Sequence, residues 1–159
     1  MFLKEFEIRW NDLDANRHLG NIAYLSYAGD TRMAFLRKVG LTNQKLQELG
    51  VGPIVFDEHM YYFKEVLPDE TLRVSLEVSG LSIDGTFFEF IHNFYNKKGI
   101  NVARCEMLGG WMSLVTRKLT PLPEDLINNF KTDYKTLNFK TLQVGDTRKR
   151  NQKPKNLTI

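Results

Sequence analysis

Between Trp10 and Asn21 the chain concentrates Asn11, Asp12, Asp14, Asn16, Arg17 and His18, the densest run of chemical groups in its 159 residues. The loop holds two carboxylates, an imidazole, a guanidinium and several amides. A carboxylate can act as a general base or as a nucleophile. An amide can orient a water or a carbonyl. If a helix begins where the loop ends, its unpaired N–H groups and partial positive charge can hold an oxyanion as a carbonyl is attacked. Together these are the parts of an acyl-transfer site. Asp and Asn also precede helices simply to cap them, so the flanking elements must be read as well.

Before the loop, Phe2, Phe6, Ile8 and Trp10 alternate with Glu5, Glu7 and Arg9, the pattern of a half-buried strand. After it, Asn21 to Val39 is helical, with Ile22, Leu25, Gly29, Met33 and Leu36 at spacings of three and four. Tyr24, Tyr27, Ala34 and Phe35 lie on the opposite side, so the helix is apolar over most of its girth and is expected to be surrounded by protein. Ala28 and Gly29 allow close approach, and Gly40 fits the C-terminal cap. Thr42 is placed to cap a short second helix that carries Leu46 and Leu49 and stops at Gly50.

Gly52 to Val66 reads as an irregular extended segment with a bulge near Asp57-Glu58. Leu72, Val74, Leu76 and Val78 then face inward, with Arg73, Ser75, Glu77 and Ser79 outward. Asp84-Gly85 and Asn96-Lys97-Lys98-Gly99 mark hairpin turns around a phenylalanine-rich strand, Thr86 to Tyr95. A long strand, Ile100 to Val115, carries a bend or bulge at Gly109-Gly110, and Pro123 to Phe130 suits a short helix. Strands following helices imply an α+β domain whose curved antiparallel sheet wraps the Asn21–Val39 helix. Such a sheet leaves an edge to cover, and a two-fold homodimer, or a dimer of dimers, is the expected solution.

Composition narrows the function classes. The length suits one domain, placed at residues 1–132, and the basic remainder, 133–159, is expected to be a flexible tail containing Arg148, Lys149, Arg150, Lys153 and Lys155. No aromatics interleave those cations, which argues against nucleic-acid binding. No apolar run approaches a membrane span and the charged N-terminus is unlike a signal peptide, so a cytoplasmic protein is expected. Cys105 is the sole cysteine and reads as a small buried hydrophobe. His18, His59 and His92 are too scattered for a metal motif. Asp57 and Glu58 read as solvated or capping acids, and Trp10 and Tyr24 as packing residues beside the loop. Lys64, Arg73 and Arg104 are the cations considered for contact with a phosphate-bearing ligand.

The stretch Trp10-Asn11-Asp12-Leu13-Asp14-Ala15-Asn16-Arg17-His18-Leu19-Gly20-Asn21-Ile22-Ala23-Tyr24-Leu25 resembles the signature of hotdog-fold thioesterases of the 4-hydroxybenzoyl-CoA thioesterase type. Their pattern is an aromatic residue, two Asp at alternate positions, and a Gly-His-Val-Asn-Asn-like turn into Tyr-Leu. The triplet Asp14, Asn16, His18 also resembles the Asp-x-Asn-x-His motif of plant-type acyl-ACP thioesterases, which carry two hotdog repeats where this chain has room for one. Gly52-Pro53-Ile54-Val55 and Tyr62-Phe63-Lys64-Glu65-Val66 are similar to the strand that lines the family's acyl site. Arg17 stands where the family has Gly, Gly20 where it has the first Asn of the pair, and Asp30 where it often has Glu.

The resemblance implies a hotdog fold and hydrolysis of an acyl-CoA, or acyl-ACP, thioester to free acid and thiol. No cofactor is implied, coenzyme A being part of the substrate. Asp14 takes the role of base or nucleophile, with Asn16 and His18 as further catalytic residues. Gly20, Asn21, Tyr24, Val55 and Tyr62 form the substrate-binding set, and N–H groups around Gly20 and Asn21 the oxyanion site. Asn16, nearer Asp14 in sequence, is expected to matter more than His18. Two rival readings are a hotdog enoyl-CoA hydratase or dehydratase, whose usual motif contains a Pro absent here, and a non-catalytic acyl-thioester binder.

Overall fold

Alternation of Phe2, Phe6 and Ile8 with exposed Glu5 and Glu7 makes β1 (Phe2–Glu7) an edge strand with one face turned inward. The computed structural model describes residues 1–148 and 152–157. After β1 come α1 (Asn21–Lys38), α2 (Asn43–Leu49), β2 (Val51–Tyr62), β3 (Thr71–Leu81), β4 (Phe87–Tyr95), β5 (Asn101–Ser113), α3 (Glu124–Asn128) and β6 (Lys135–Thr141). The sheet runs β1-β3-β4-β5-β2, antiparallel throughout, with β6 added parallel to β3. β1 pairs with Thr71 to Leu76 and β6 with Val78 to Leu81, so the two share one edge of β3 end to end.

The inner face of the sheet carries Leu72, Val74, Leu76 and Val78 from β3 and Phe88, Phe90 and Phe94 from β4, all buried. Ala103, Cys105 and Met107 of β5 join them. Two apolar clusters form on this face, one around Phe35, Phe90 and Trp111, the other around Tyr24, Tyr27 and Phe94, and α1 contributes to both. Each fully buried ring contributes on the order of 2–3 kcal/mol. The helix ends as expected: Thr42 accepts from the Lys45 N–H at 3.1 Å, and Gly40 and Gly50 take left-handed φ values of 91° and 63°.

Four expectations need correction. The buried face of α1 is Ala23, Tyr24, Tyr27, Ala28, Thr31, Phe35 and Leu36, whereas Ile22 is 78% exposed and Leu25 is open to solvent. The aromatic stripe has the larger apolar area and wins the core. Ser75 and Ser79, expected outward, are buried because their hydroxyls are satisfied, Ser75 accepting the Asn93 N–H and Ser79 donating to Glu89.

The third concerns Gly109-Gly110: the bulge expected near Asp57 is present in β2, between Val55 and Asp57, but β5 itself stays paired through Gly109 and Gly110 on both sides. The glycines serve close approach instead of bending: a Cβ on Gly109 would stand 2.5 Å from the Ile54 carbonyl oxygen and 2.8 Å from the Phe88 ring. The fourth is the tail. Residues 135–141 are a strand of the sheet, Phe139 packs against the main core, and Leu142 is buried over Gly80. The basic residues Lys149 and Arg150 lie outside the described residues. No helix among the described residues is long and apolar enough to cross a membrane.

Gly109→Ala is expected to cost about 2 kcal/mol through overpacking against β2 and Phe88. Urea denaturation checks this, and a wild-type midpoint would contradict the close approach.

Candidate active site

The loop that ends β1 is a small hairpin. Leu13 bridges Leu19, the Asp14 N–H donates to the His18 carbonyl at 2.8 Å, and the Arg17 N–H donates to the Asp14 carbonyl at 3.0 Å. Arg17 sits at φ 61°, so Ala15, Asn16 and Arg17 form a three-residue loop closed by a left-handed residue. That conformation explains why glycine would suit position 17, and why the Arg there is still compatible with the turn. Asp14 Oδ1 accepts the N–H groups of Asn16 at 2.8 Å and His18 at 3.2 Å. One carboxylate oxygen thus organises the turn, while Oδ2 takes no hydrogen bond from a described residue.

A cleft of about 380 Å³ opens beside the loop, walled by Asp14, His18, Leu19, Asn21, Tyr24, Tyr62, Phe63, Lys64 and Glu65. Five of the residues expected at the site, Asp14, His18, Asn21, Tyr24 and Tyr62, meet there. Asn16 is exposed at the loop tip and off the wall, holding Asp14 through its backbone. Val55 lies at the β2 bulge, away from the cleft. Gly20 is close behind Asp14, but its N–H donates to the Asp12 carbonyl at 2.7 Å, and a Cβ there would meet that oxygen at 3.3 Å. Its N–H is therefore not an oxyanion donor. The N–H of Asn21, in the first turn of α1, has no partner among the described residues.

Glu65 was not singled out by the sequence reading, although it lies in the matched Tyr62–Val66 stretch. Its Oε2 stands 2.9 Å from His18 Nε2, and the Leu19 N–H donates to the Val66 carbonyl at 2.8 Å. These two contacts fasten the loop to the segment after β2. A neutral imidazole that donates Nε2–H to Glu65 keeps its lone pair on Nδ1. The Tyr24 ring packs edge-on against Tyr62 and Phe94, each at 5.3 Å, and burial pushes its phenol up to about 12. Burial raises Tyr62 as well. Both phenols stay protonated near neutral pH and can serve as hydrogen-bond donors or acceptors.

The other carboxylate, Asp12, has a different task. It is buried and accepts from the Arg9 N–H, Nε and guanidinium NH2, each at 3.0 Å, and from the Tyr27 hydroxyl. The Arg9 hydrogen bonds hold Asp12 below the usual carboxylate range, against the opposing effect of burial. Burial, reinforced by Asp12, pushes Tyr27 up to about 12. The Trp10–Asp12 turn that brings Asp12 inward throws Trp10 out of the β1 alternation, so Trp10 is 85% exposed where packing was expected. Cys105 is fully buried and raised to about 12 by burial, as suits an inert core thiol. Glu58 pairs with Arg32 instead of facing solvent alone. Among the described residues no group of three or more His, Cys, Asp or Glu could hold a metal ion.

Because the folded pKa of Asp12 is depressed, its stabilising contribution is present above the unfolded value of about 3.9 and is lost as pH falls through the lower folded value. Asp12→Asn should therefore be less stable than wild type at pH 7, by about 1–3 kcal/mol for an impaired buried charge-assisted network. The gap should narrow below about pH 4. A constant gap across pH in urea titrations would contradict the assignment.

A family model described as the Thioesterase-like superfamily matches residues 8–130. Among curated protein sequences none matches the chain. Of solved structures, a hypothetical protein from Staphylococcus aureus in complex with CoA superposes with a TM-score of 0.78 at 17% identity, over 99% of this chain and 94% of that one. A 1,4-dihydroxy-2-naphthoyl-CoA thioesterase from Synechocystis gives 0.73 at 17% identity, over 83% and 97%. A DHNA-CoA thioesterase from Staphylococcus aureus gives 0.70 at 19% identity, over 76% and 80%. At these identities the structural likeness is one of fold, an antiparallel sheet with helices consistent with the hotdog thioesterases. The family model spans the loop, α1, the cleft and strands β2 to β5, and on that ground the chain belongs to the thioesterase-like superfamily.

Proposed function

We propose that the protein hydrolyses an acyl-CoA thioester, in the manner of the 4-hydroxybenzoyl-CoA type of hotdog thioesterase, with Asp14 as the group that acts on the carbonyl carbon. The observation that carries this reading is the cleft, where Asp14, the His18–Glu65 pair and the start of α1 converge. Asp14 Oδ1 is held by two backbone N–H groups, which leaves Oδ2 oriented and unoccupied.

Oδ2 either attacks the carbonyl carbon or takes a proton from a water that does so. In both routes the oxyanion that forms faces the Asn21 N–H, then collapses as the C–S bond breaks and the thiolate leaves. A thiolate is a good leaving group, so little general-acid help is needed. In the direct route an Asp14 acyl anhydride forms first and water then opens it. His18 serves through its Nδ1 lone pair by orienting water. Glu65 acts through His18 and is a positioning residue. Asn16 supports Asp14 through its backbone N–H. This reverses the order expected from sequence proximity, since His18 is on the cleft wall and Asn16 is not.

The assembly proposed is a two-fold dimer. Among the described residues β2 is an edge strand that pairs only with β5, and Val55, Phe56, Tyr61 and Tyr62 are exposed along it, with Phe63 just beyond. Ile22 and Leu25 add an apolar face on α1. An exposed, aromatic-rich edge of this length calls for a partner.

Asp14→Ala is expected to reduce thiol release from the best substrate of an acyl-CoA panel by at least about 10³-fold with the fold intact. Retained turnover, or hydration of a crotonyl thioester without thiol release, would defeat the reading. His18→Ala should lower kcat more than Asn16→Ala, and Glu65→Gln should resemble a mild His18 defect, seen in kcat with KM little changed. Steady-state kinetics of the three variants decide this, and a wild-type kcat in Glu65→Gln would remove its positioning role.

A further inference from the structure

Most arginines near the sheet and helix faces are already neutralised. Arg9 pairs with Asp12, Arg32 with Glu58, Arg73 with Glu5 and Arg104 with Glu106. Two cations beside the cleft differ. Among the described residues neither Arg17 nor Lys64 has an ion-pair partner. Arg17 directly precedes His18 and Lys64 directly precedes Glu65, and the 2.9 Å contact between His18 and Glu65 draws the two segments together. Lys64 lines the cleft, and Arg17 is exposed on the loop that forms its opposite wall. Glu65, the acid next to Lys64, is engaged by His18.

Arg17 also occupies left-handed backbone at φ 61°, where glycine would fold at lower cost. A long cation is thus kept at a strained position beside a second unpaired cation. The acids Asp14 and Glu65 lie on the cleft wall and disfavour an anion inside it, so an anionic group is directed to the rim.

We propose that Arg17 and Lys64 form an anion site at the mouth of the cleft that binds the phosphate of a pantetheine-bearing carrier arm, leaving the thioester end to enter the cleft along the wall that Tyr24 and Tyr62 form. Arg supplies a planar fork suited to phosphate and Lys a mobile point charge. The chemistry is shared by CoA and by the prosthetic arm of an acyl carrier protein. The inference rests on the thioesterase reading for what enters the cleft, and makes no use of Asp14 chemistry.

The test is equilibrium binding of free CoA and of pantetheine, which lacks phosphate, to wild type and to Arg17→Gly/Lys64→Ala. Arg37→Ala/Lys38→Ala, at the far end of α1, removes the same charge and serves as the control. The double variant should bind CoA at least tenfold more weakly while pantetheine binding holds, and its CoA affinity should lose most of its salt dependence. The control should match wild type. Arg17→Gly keeps the variant folded, because it suits the turn, and thermal denaturation confirms this. CoA affinity equal in wild type and double variant would overturn the site.

Kinetics on matched acyl-CoA, acyl-pantetheine and acyl-carrier-protein substrates name the source. The carrier whose advantage over acyl-pantetheine falls in the double variant supplies the phosphate, and both advantages surviving would overturn the proposal. If wild type releases thiol from none of them yet CoA binding weakens as stated, the anion site stands and the hydrolytic reading falls.

Discussion

The buried carboxylate of Asp12 is the interaction on which the site depends. Its side chain joins Arg9 at the end of β1 to Tyr27 in the second turn of α1, and its carbonyl accepts the N–H of Gly20 at the start of that helix. Strand, loop and helix are thereby locked at one residue. The lock sets where the Asp14–His18 hairpin stands and which way the first turn of α1 points. It also fixes a division of labour between neighbours: Asp12 is dry, fully paired and structural, while Asp14, two residues on, is exposed with one oxygen unoccupied. A buried carboxylate already held by a guanidinium, a backbone N–H and a phenol is poorly placed to act as a base or nucleophile.

A second constraint comes from the far wall. The segment after β2 folds over the loop through Leu19–Val66 and His18–Glu65. The cleft therefore exists because two chain segments nearly fifty residues apart close on each other at the N-terminus of α1. Tyr24, Tyr62 and Phe63 give it an aromatic wall, with Phe94 packed behind Tyr24, and Asp14, Lys64 and Glu65 add charge.

Much of this was legible in the sequence where local chemistry dictates it. The caps at Gly40, Thr42 and Gly50 and the hairpin turns follow from backbone conformational limits that each residue carries with it, and the inward residues of β3 from their spacing of two. The long helix was legible as a helix, but its inward face was not. Ile22 and Leu25 satisfy a helical spacing as well as Tyr24, Tyr27 and Phe35 do, and only the tertiary competition for the core decides between them. The meeting of Asp14, His18 and Asn21 at one cleft follows the motif. Glu65 was not legible, because its significance is a contact with His18 across 47 residues. The commitment of the Gly20 N–H to Asp12, and the departure of Trp10 from its strand, likewise depend on a turn whose register is set by Asp12. The strand at Lys135–Thr141 was hidden by the charge around it; Phe139 and Leu142 suffice to anchor it against β3.

In the proposed reaction Asp14 faces the reacting carbonyl. The direct measurement is a structure of the protein with a non-hydrolysable acyl-CoA thioether ketone bound. The account places the ketone carbon roughly 3–3.5 Å from Asp14 Oδ2, a near-attack distance, or one water away, with the ketone oxygen toward the Asn21 N–H. A ketone seated elsewhere in the cleft, with Asp14 turned to solvent, would contradict it.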